Sequence, residues 1–181
     1  MKININVIGL GFVGLTTALG FASKKKKIIC VEKNVERFNS IKRGIIPFKE
    51  PGLEKILKKM KQNFCVFSKK PIILKNYINV VFVCVGTPSK SNGAINLDQI
   101  NKTLIPIKNK YKNERIIFVI KSTVPPGTIK ENLKRFKNKN ISFCSNPEFL
   151  REGFAWHDFN NTDKIVIGYE NLDDFIILKR I

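Results

Sequence analysis

In "VIGLGFVGLTTALGF" (7–21), Gly9, Gly11 and Gly14 hold the spacing GxGxxG between a short apolar run and a stretch suited to a helix. A backbone of that kind can cradle a pyrophosphate. Gly9 permits a tight turn, Gly11 lets phosphate oxygens approach N–H groups at the helix start, and Gly14 allows close helix-to-strand packing. Glu32 ends the next strand-like run, where a carboxylate suits the hydroxyls of an adenosine ribose and repels a 2′-phosphate. NAD is therefore favoured over NADP, an inference that Lys33 and Arg37 soften. The candidate cofactor seat comprises Gly9, Leu10, Gly11, Phe12, Val13, Gly14, Glu32 and Arg37. Taken alone, the glycines serve equally well in a structural corner. The strand before them, the helix after them and the acid beyond make the dinucleotide reading the better one. FAD uses a similar turn, so this first unit leaves flavin and nicotinamide enzymes both open.

Other catalytic sets find little support. His157, in "AWHDF", is the only histidine, so any Ser/His/Asp or Cys/His set would rest on it alone. Cys30, Cys65, Cys84 and Cys144 each lie in or beside an apolar run, with no CxxC pair or metal-ligand spacing. They read as buried reduced thiols, and no metal site is expected. The GxxxxGK[ST] loop is absent, which removes nucleotide hydrolysis of that type.

Strands must carry these residues to one edge. Runs rich in β-branched residues at 5–9, 27–30, 64–67, 79–86, 115–122 and 141–144 predict strands. Between them, 12–22, 34–43, 51–61, 97–112 and 127–137 carry apolar residues at three- and four-residue intervals and predict helices. Alternation of this kind requires parallel pairing and right-handed crossovers. The expected fold is α/β, a doubly wound Rossmann-type, mostly parallel sheet with helices on both faces. "VVFVCV" is apolar on both alternations and belongs at the centre, beside the first strand. "PFKEPGLEKIL" predicts a loop and then a helix, with Glu50 near the cap and Pro51 in the first turn. "DKIVIGYE" (163–170) predicts a further strand, and "NLDDFIILKRI" a helix capped by Asn171. One domain over 1–170 is expected, with 171–181 starting a helix that leads elsewhere.

A chain of 181 residues suits one domain, and no apolar stretch approaches the roughly 20 residues of a membrane span. The strand-like run close to Met1 leaves no room for a leader, so a cytoplasmic location is expected. The formal net charge of +19 invites a nucleic-acid reading, but 27 of the 33 cations are Lys, scattered along the chain. Lys, Asn and Ile supply 72 residues against 4 Ala, the mark of a codon bias. Base readout favours Arg, and stacking sites interleave exposed aromatics, so no specific nucleic-acid binding is expected. The basic surface would still attract an anionic small molecule.

Three later segments, "VGTPSKSNGAINLD" (85–98), "KSTVPPGT" (121–128) and "NPEFLREGFAWHDFNNTDKIVIG" (146–168), resemble the UDP-glucose/GDP-mannose dehydrogenase family in order and spacing. "GIIPFKEPGL" (44–53) resembles the same family, and Leu150 and Gly153 in "FLREG" look more like its UDP-glucose members. The resemblance implies NAD as cofactor and a nucleotide sugar, UDP-glucose above all, whose primary alcohol is oxidised to a carboxylate through a cysteine thioester. It implies that Gly86, Thr87, Pro88, Ser122 and Thr123 line the nicotinamide side of the crevice and that Glu152 contacts the cofactor. Glu148 would work with water in thioester hydrolysis, with Thr123 holding that water. Glu148, Phe149, Leu150 and Arg151 would meet the sugar nucleotide.

The resemblance also implies a central helix and a second domain carrying the nucleophilic cysteine, and a homodimer for the full-length enzyme. This chain is then expected to be inactive alone. Asn96, Thr162 and Lys164 depart from the family pattern. The alternatives are a non-catalytic NAD-binding module, or a GDP-mannose or UDP-N-acetylmannosamine dehydrogenase.

Overall fold

The computed structural model describes residues 2–181. β1 (Ile3–Ile8) leads through α1 (Phe12–Ser23) to β2 (Ile28–Val31), then α2 (Val35–Arg43), α3 (Leu53–Met60), β3 (Cys65–Ser68) and β4 (Ile78–Val83). There follow α4 (Asp98–Lys110), β5 (Ile116–Ile120), α5 (Thr128–Phe136), β6 (Ile141–Ser145), α6 (Ala155–Asn160) and α7 (Leu172–Lys179). The six strands form one sheet in the order β3-β2-β1-β4-β5-β6, and every neighbouring pair is parallel. The chain builds outward from β1 to β3, then returns to the other side of β1 with β4. Connections after β1 and β4 therefore diverge, leaving a crevice at the carboxyl ends of the strands. Ile8 pairs with Val83, so the two central strands end level beneath it.

Helices cover both faces, which is why β4 and β5 read as unbroken apolar runs. On one face Val7, Cys30, Phe82 and Val119 pack with Leu15 and Leu19 of α1 and Leu53 and Leu57 of α3. On the other, Val81, Val83 and Phe118 meet Ile100 and Leu104 of α4 and Phe136 of α5. Each fully buried side chain of this size contributes about 1.5–3 kcal/mol. Midway along β1, buried Asn6 braces the connection from β3 to β4, donating to Ile72 O (3.0 Å) and accepting from Ile72 N (2.9 Å).

Three local expectations change. α3 starts at Leu53 rather than at Pro51, because Gly52 takes φ +81, a left-handed conformation that no helical residue adopts. "DKIVIGYE" forms no strand. It gives only an antiparallel bridge between Gly168 and Ser145 (2.8 and 2.9 Å), and Ile165 stays 70% exposed, so no ladder or apolar face extends it. α6 was not foreseen: six residues are too few for a helical period to emerge. Its Phe159 fits against Gly20 of α1, where a Cβ would come within 2.0 Å of the ring. At α7 the predicted cap holds, as the Asn171 side chain accepts from Asp173 N at 2.8 Å, and buried Asp174 pairs with Arg115 at the start of β5. Among the described residues no helix is long and apolar enough to cross a membrane.

Candidate cofactor cleft and its neighbour

The glycine turn links β1 to α1, and its three glycines face three different constraints. Gly9 takes φ +89, and a Cβ there would lie 2.7 Å from Cys84 O, so both conformation and space demand glycine. At Gly14 a Cβ would fall 1.8 Å from Gly9 O, which is the close helix-to-strand approach read from the spacing. Gly11 differs: a Cβ there would have nothing within 4 Å. That space is the seat itself. The N–H groups of Gly11, Phe12 and Val13 at the start of α1 find no acceptor among the described residues, as a helix N-terminus open to an anion requires.

Glu32 follows β2 and is 5% exposed. Its Oε2 accepts from Leu10 N at 2.9 Å and its Oε1 from Asn34 N at 2.9 Å, while Arg37 Nη1 stands 3.4 Å from Oε2. The carboxylate thus braces the glycine turn as well as facing the cleft. Leu10 is fully buried, so only its backbone serves the turn.

A cleft of about 520 Å³ opens here, lined by Gly9, Gly11, Phe12, Val13, Glu32 and Arg37 from the first half of the sheet. Gly86, Thr87, Ser122, Thr123 and Glu148 line it from the second half. The polar side chains tie the two loops through their main chains: Thr87 Oγ1 donates to the Thr123 carbonyl (2.9 Å), and Ser122 Oγ donates to the Val85 carbonyl (2.7 Å). Thr123 Oγ1 makes no hydrogen bond among the described residues. Pro88, Arg151 and Glu152 do not line this cleft. Gln99, Lys102 and Thr103 do, and sequence reasoning missed them because α4 gave no sign of which face would turn towards the turn at Gly11.

A second cleft of about 670 Å³ lies beside α1, α6 and α7, lined by Glu148, Phe149 and Leu150 together with Phe21, Phe159 and Ile167. Among the described residues only Lys121 and Glu148 line both clefts. Glu148 Oε2 accepts from Leu150 N at 2.6 Å, which turns the segment back on itself and leaves Oε1 unengaged. Lys121 is 8% exposed and donates to Asn146 Oδ1 at 3.1 Å, holding the root of that segment. Burial pulls its ammonium below the ordinary lysine range, against the pull of neighbouring Cys84 and Glu148. Its place beside Ser122 in "KSTVPPGT" was the available signal. Arg151 is exposed and forms a two-pronged pair with Asp158 (3.0 and 2.7 Å), which holds the Asp158 carboxyl well below the usual range.

Three of the thiols are pushed up, while Cys65, lowered by its hydrogen bond with Cys30, is buried in β3. Burial pushes Cys84 up to about 12, with Lys121 opposing and Glu148 adding to the shift. Burial likewise pushes Cys144 up to about 12, and Cys30 is raised by its hydrogen bond with Cys65 and by burial. All four cysteines are free.

Residues 3–181 match the UDP-glucose/GDP-mannose dehydrogenase family, NAD binding domain. The chain is 38% identical over 176 residues to UDP-glucose 6-dehydrogenase YwqF of Bacillus subtilis, covering 91% of this chain and 39% of that protein. The fold superposes on GDP-mannose dehydrogenase from Pseudomonas aeruginosa, solved as a ternary complex, with TM-score 0.84 and 31% identity, over 99% of this chain and 43% of the other. It superposes on UDP-glucose dehydrogenase from Pyrobaculum islandicum with TM-score 0.87 and 30% identity, over 98% and 43%. The chain thus spans about two fifths of the length of these relatives.

Proposed function

Because the chain belongs to the UDP-glucose/GDP-mannose dehydrogenase family, as its NAD binding domain, we propose that it holds the cofactor in a nucleotide-sugar dehydrogenase that oxidises UDP-glucose to UDP-glucuronate. The observation that carries this reading is the seat at Gly11: free N–H groups at a helix start, open space where a side chain would stand, and the Glu32 carboxylate beside it. The residues fit a dinucleotide. Gly11, Phe12 and Val13 receive the pyrophosphate, Glu32 the ribose hydroxyls, and Gly86, Thr87, Ser122 and Thr123 border the nicotinamide end. NAD, when bound, supplies the hydride acceptor for both oxidation steps.

Glu148 works at the junction of the two clefts. With Oε2 held by Leu150 N–H, its Oε1 is free to take a proton from water, and Thr123 Oγ1 is available to orient that water. Water attacks the acyl carbon of the thioester, its proton passes to Glu148, the C–S bond breaks and the cysteine leaves as thiolate. Phe149 and Leu150 face the sugar from the second cleft, and Arg151, bound to Asp158, stiffens the segment. The attacking cysteine is none of the four present, since burial keeps Cys84 and Cys144 protonated, and Cys30 and Cys65 lie buried in β2 and β3 and line neither cleft.

The test follows NADH absorbance with purified chain and UDP-glucose. NAD binds, no turnover occurs alone, and a family-type second domain supplied in trans restores it, with Glu148→Gln then slowing hydrolysis. Robust turnover without an added partner would overturn the assignment of the nucleophile. Absence of turnover with the second domain present, despite NAD binding, would favour a non-catalytic module.

A further inference from the structure

The segment "PFKEPGL" contains a buried carboxylate that the proposed chemistry leaves unused. Glu50 is 6% exposed, and among the described residues it forms no ion pair. Its Oε1 accepts from Ala155 N at 2.7 Å and its Oε2 from Gly153 N at 3.0 Å. Those amides lie 105 and 103 residues further along the chain, in the turn that directly follows Glu148–Glu152.

Four main-chain N–H groups of the segment donate to carboxylates. Glu148 takes Leu150, Asp158 takes Arg151, and Glu50 takes Gly153 and Ala155. Glu148 and Asp158 belong to the segment or to the helix that continues it, so they move with it. Of these three carboxylates only Glu50 reaches in from the other half of the fold. Gly153 itself takes φ +84 and has nothing within 4 Å of a would-be Cβ, so no packing at that position fixes the turn. A buried anion is costly unless its hydrogen bonds are strong, and charge-assisted bonds to two amides meet that condition while dictating direction.

We propose that Glu50 is a positioning residue: its carboxylate pins the turn at Gly153–Ala155 and thereby sets the course of the Glu148–Glu152 segment, of which Glu148 lines both clefts. This rests on the reading of Glu148–Glu152 given above. In Glu50→Gln one acceptor becomes an amide donor facing a main-chain N–H. Glu50→Asp keeps both acceptors but withdraws them by a methylene.

Amide hydrogen exchange along the whole chain and calorimetric titration of NAD test the idea, on the parent, Glu50→Gln, Glu50→Asp, Glu152→Ala and the Glu50→Gln/Glu152→Ala double variant. In Glu50→Gln the amides of Gly153 and Ala155 exchange about tenfold faster, as befits loss of a charge-assisted bond. Amides of β1, β4 and β5 change by at most about threefold. NAD affinity falls in both single variants, and Glu50→Gln adds nothing once Glu152 is Ala, because residues acting through one another are not additive. Glu50→Asp lies between parent and Glu50→Gln, and carries the same comparison if the latter fails to fold. Unchanged exchange at Gly153 and Ala155, acceleration spread evenly over the sheet, or additive effects on affinity would each overturn the inference. If Glu152→Ala alone leaves NAD affinity unchanged, the reading of Glu152 fails, and the exchange pattern still decides the role of Glu50.

Discussion

Replacing Glu32 by Ala separates its two duties, because its carboxylate both braces the glycine turn and faces the ribose end of the cleft. The oxygens accept from Leu10 N and Asn34 N at 2.9 Å each, with Arg37 Nη1 at 3.4 Å. Leu10 is fully buried, so its N–H loses its acceptor in the variant, at a cost of about 1–3 kcal/mol of stability. A ribose hydroxyl bonded to a carboxylate contributes about 1.5–3 kcal/mol, so NAD affinity falls about 10- to 150-fold. NADP gives up no such bond and is freed from repulsion between the carboxylate and its 2′-phosphate. Arg37, released from Glu32, also becomes available to that phosphate. The NAD-to-NADP preference therefore narrows by about tenfold or more. Calorimetric titration of both cofactors, with a thermal melt of the free protein, measures the two effects separately. Equal affinity of the parent for NAD and NADP would refute the carboxylate reasoning. So would a variant that melts lower yet binds NAD within about twofold of the parent, since Glu32 would then be a brace alone.

Gly11 and Gly14 give opposite outcomes. Gly11→Ala places a methyl in open space, so the melt is preserved while NAD binding is lost; Gly14→Ala drives a Cβ into Gly9 O and costs about 3 kcal/mol or more in chemical denaturation. Cys84 and Cys144, both pushed up to about 12, favour the protonated fold. Their stabilising contribution is whole below the ordinary thiol value of about 8.5 and is lost as pH rises from there to about 12, so urea midpoints fall over that window. Iodoacetamide at about pH 8 should label neither thiol until the protein unfolds, and rapid labelling of native Cys84 would reopen it as a nucleophile.

The alternation of β-branched runs with amphipathic stretches was enough to determine a parallel α/β sheet, because each element carries its own period and parallel strands require crossovers. The glycine turn was legible for the same local reason: the sterics of Gly9 and Gly14 act within one strand–turn–helix unit and on the neighbouring strand. Glu32 was legible by position. Its bond to Leu10 N was not, since that depends on β2 lying beside β1.

What required the tertiary structure is what distant segments do to one another. Lys121 and Glu148 meet between two clefts because β5 and β6 are neighbours, a fact of pairing that neither segment encodes. Glu50 reads locally as a helix-start residue, yet its carboxylate serves a turn 103 residues away. The run at 163–170 has the composition of a strand, but apart from the bridge at Gly168 it pairs with no strand among the described residues, and composition alone cannot supply a ladder of hydrogen bonds. Local sequence sets which conformations are cheap; burial and pairing, which depend on the whole chain at once, decide which charges and donors end up facing each other.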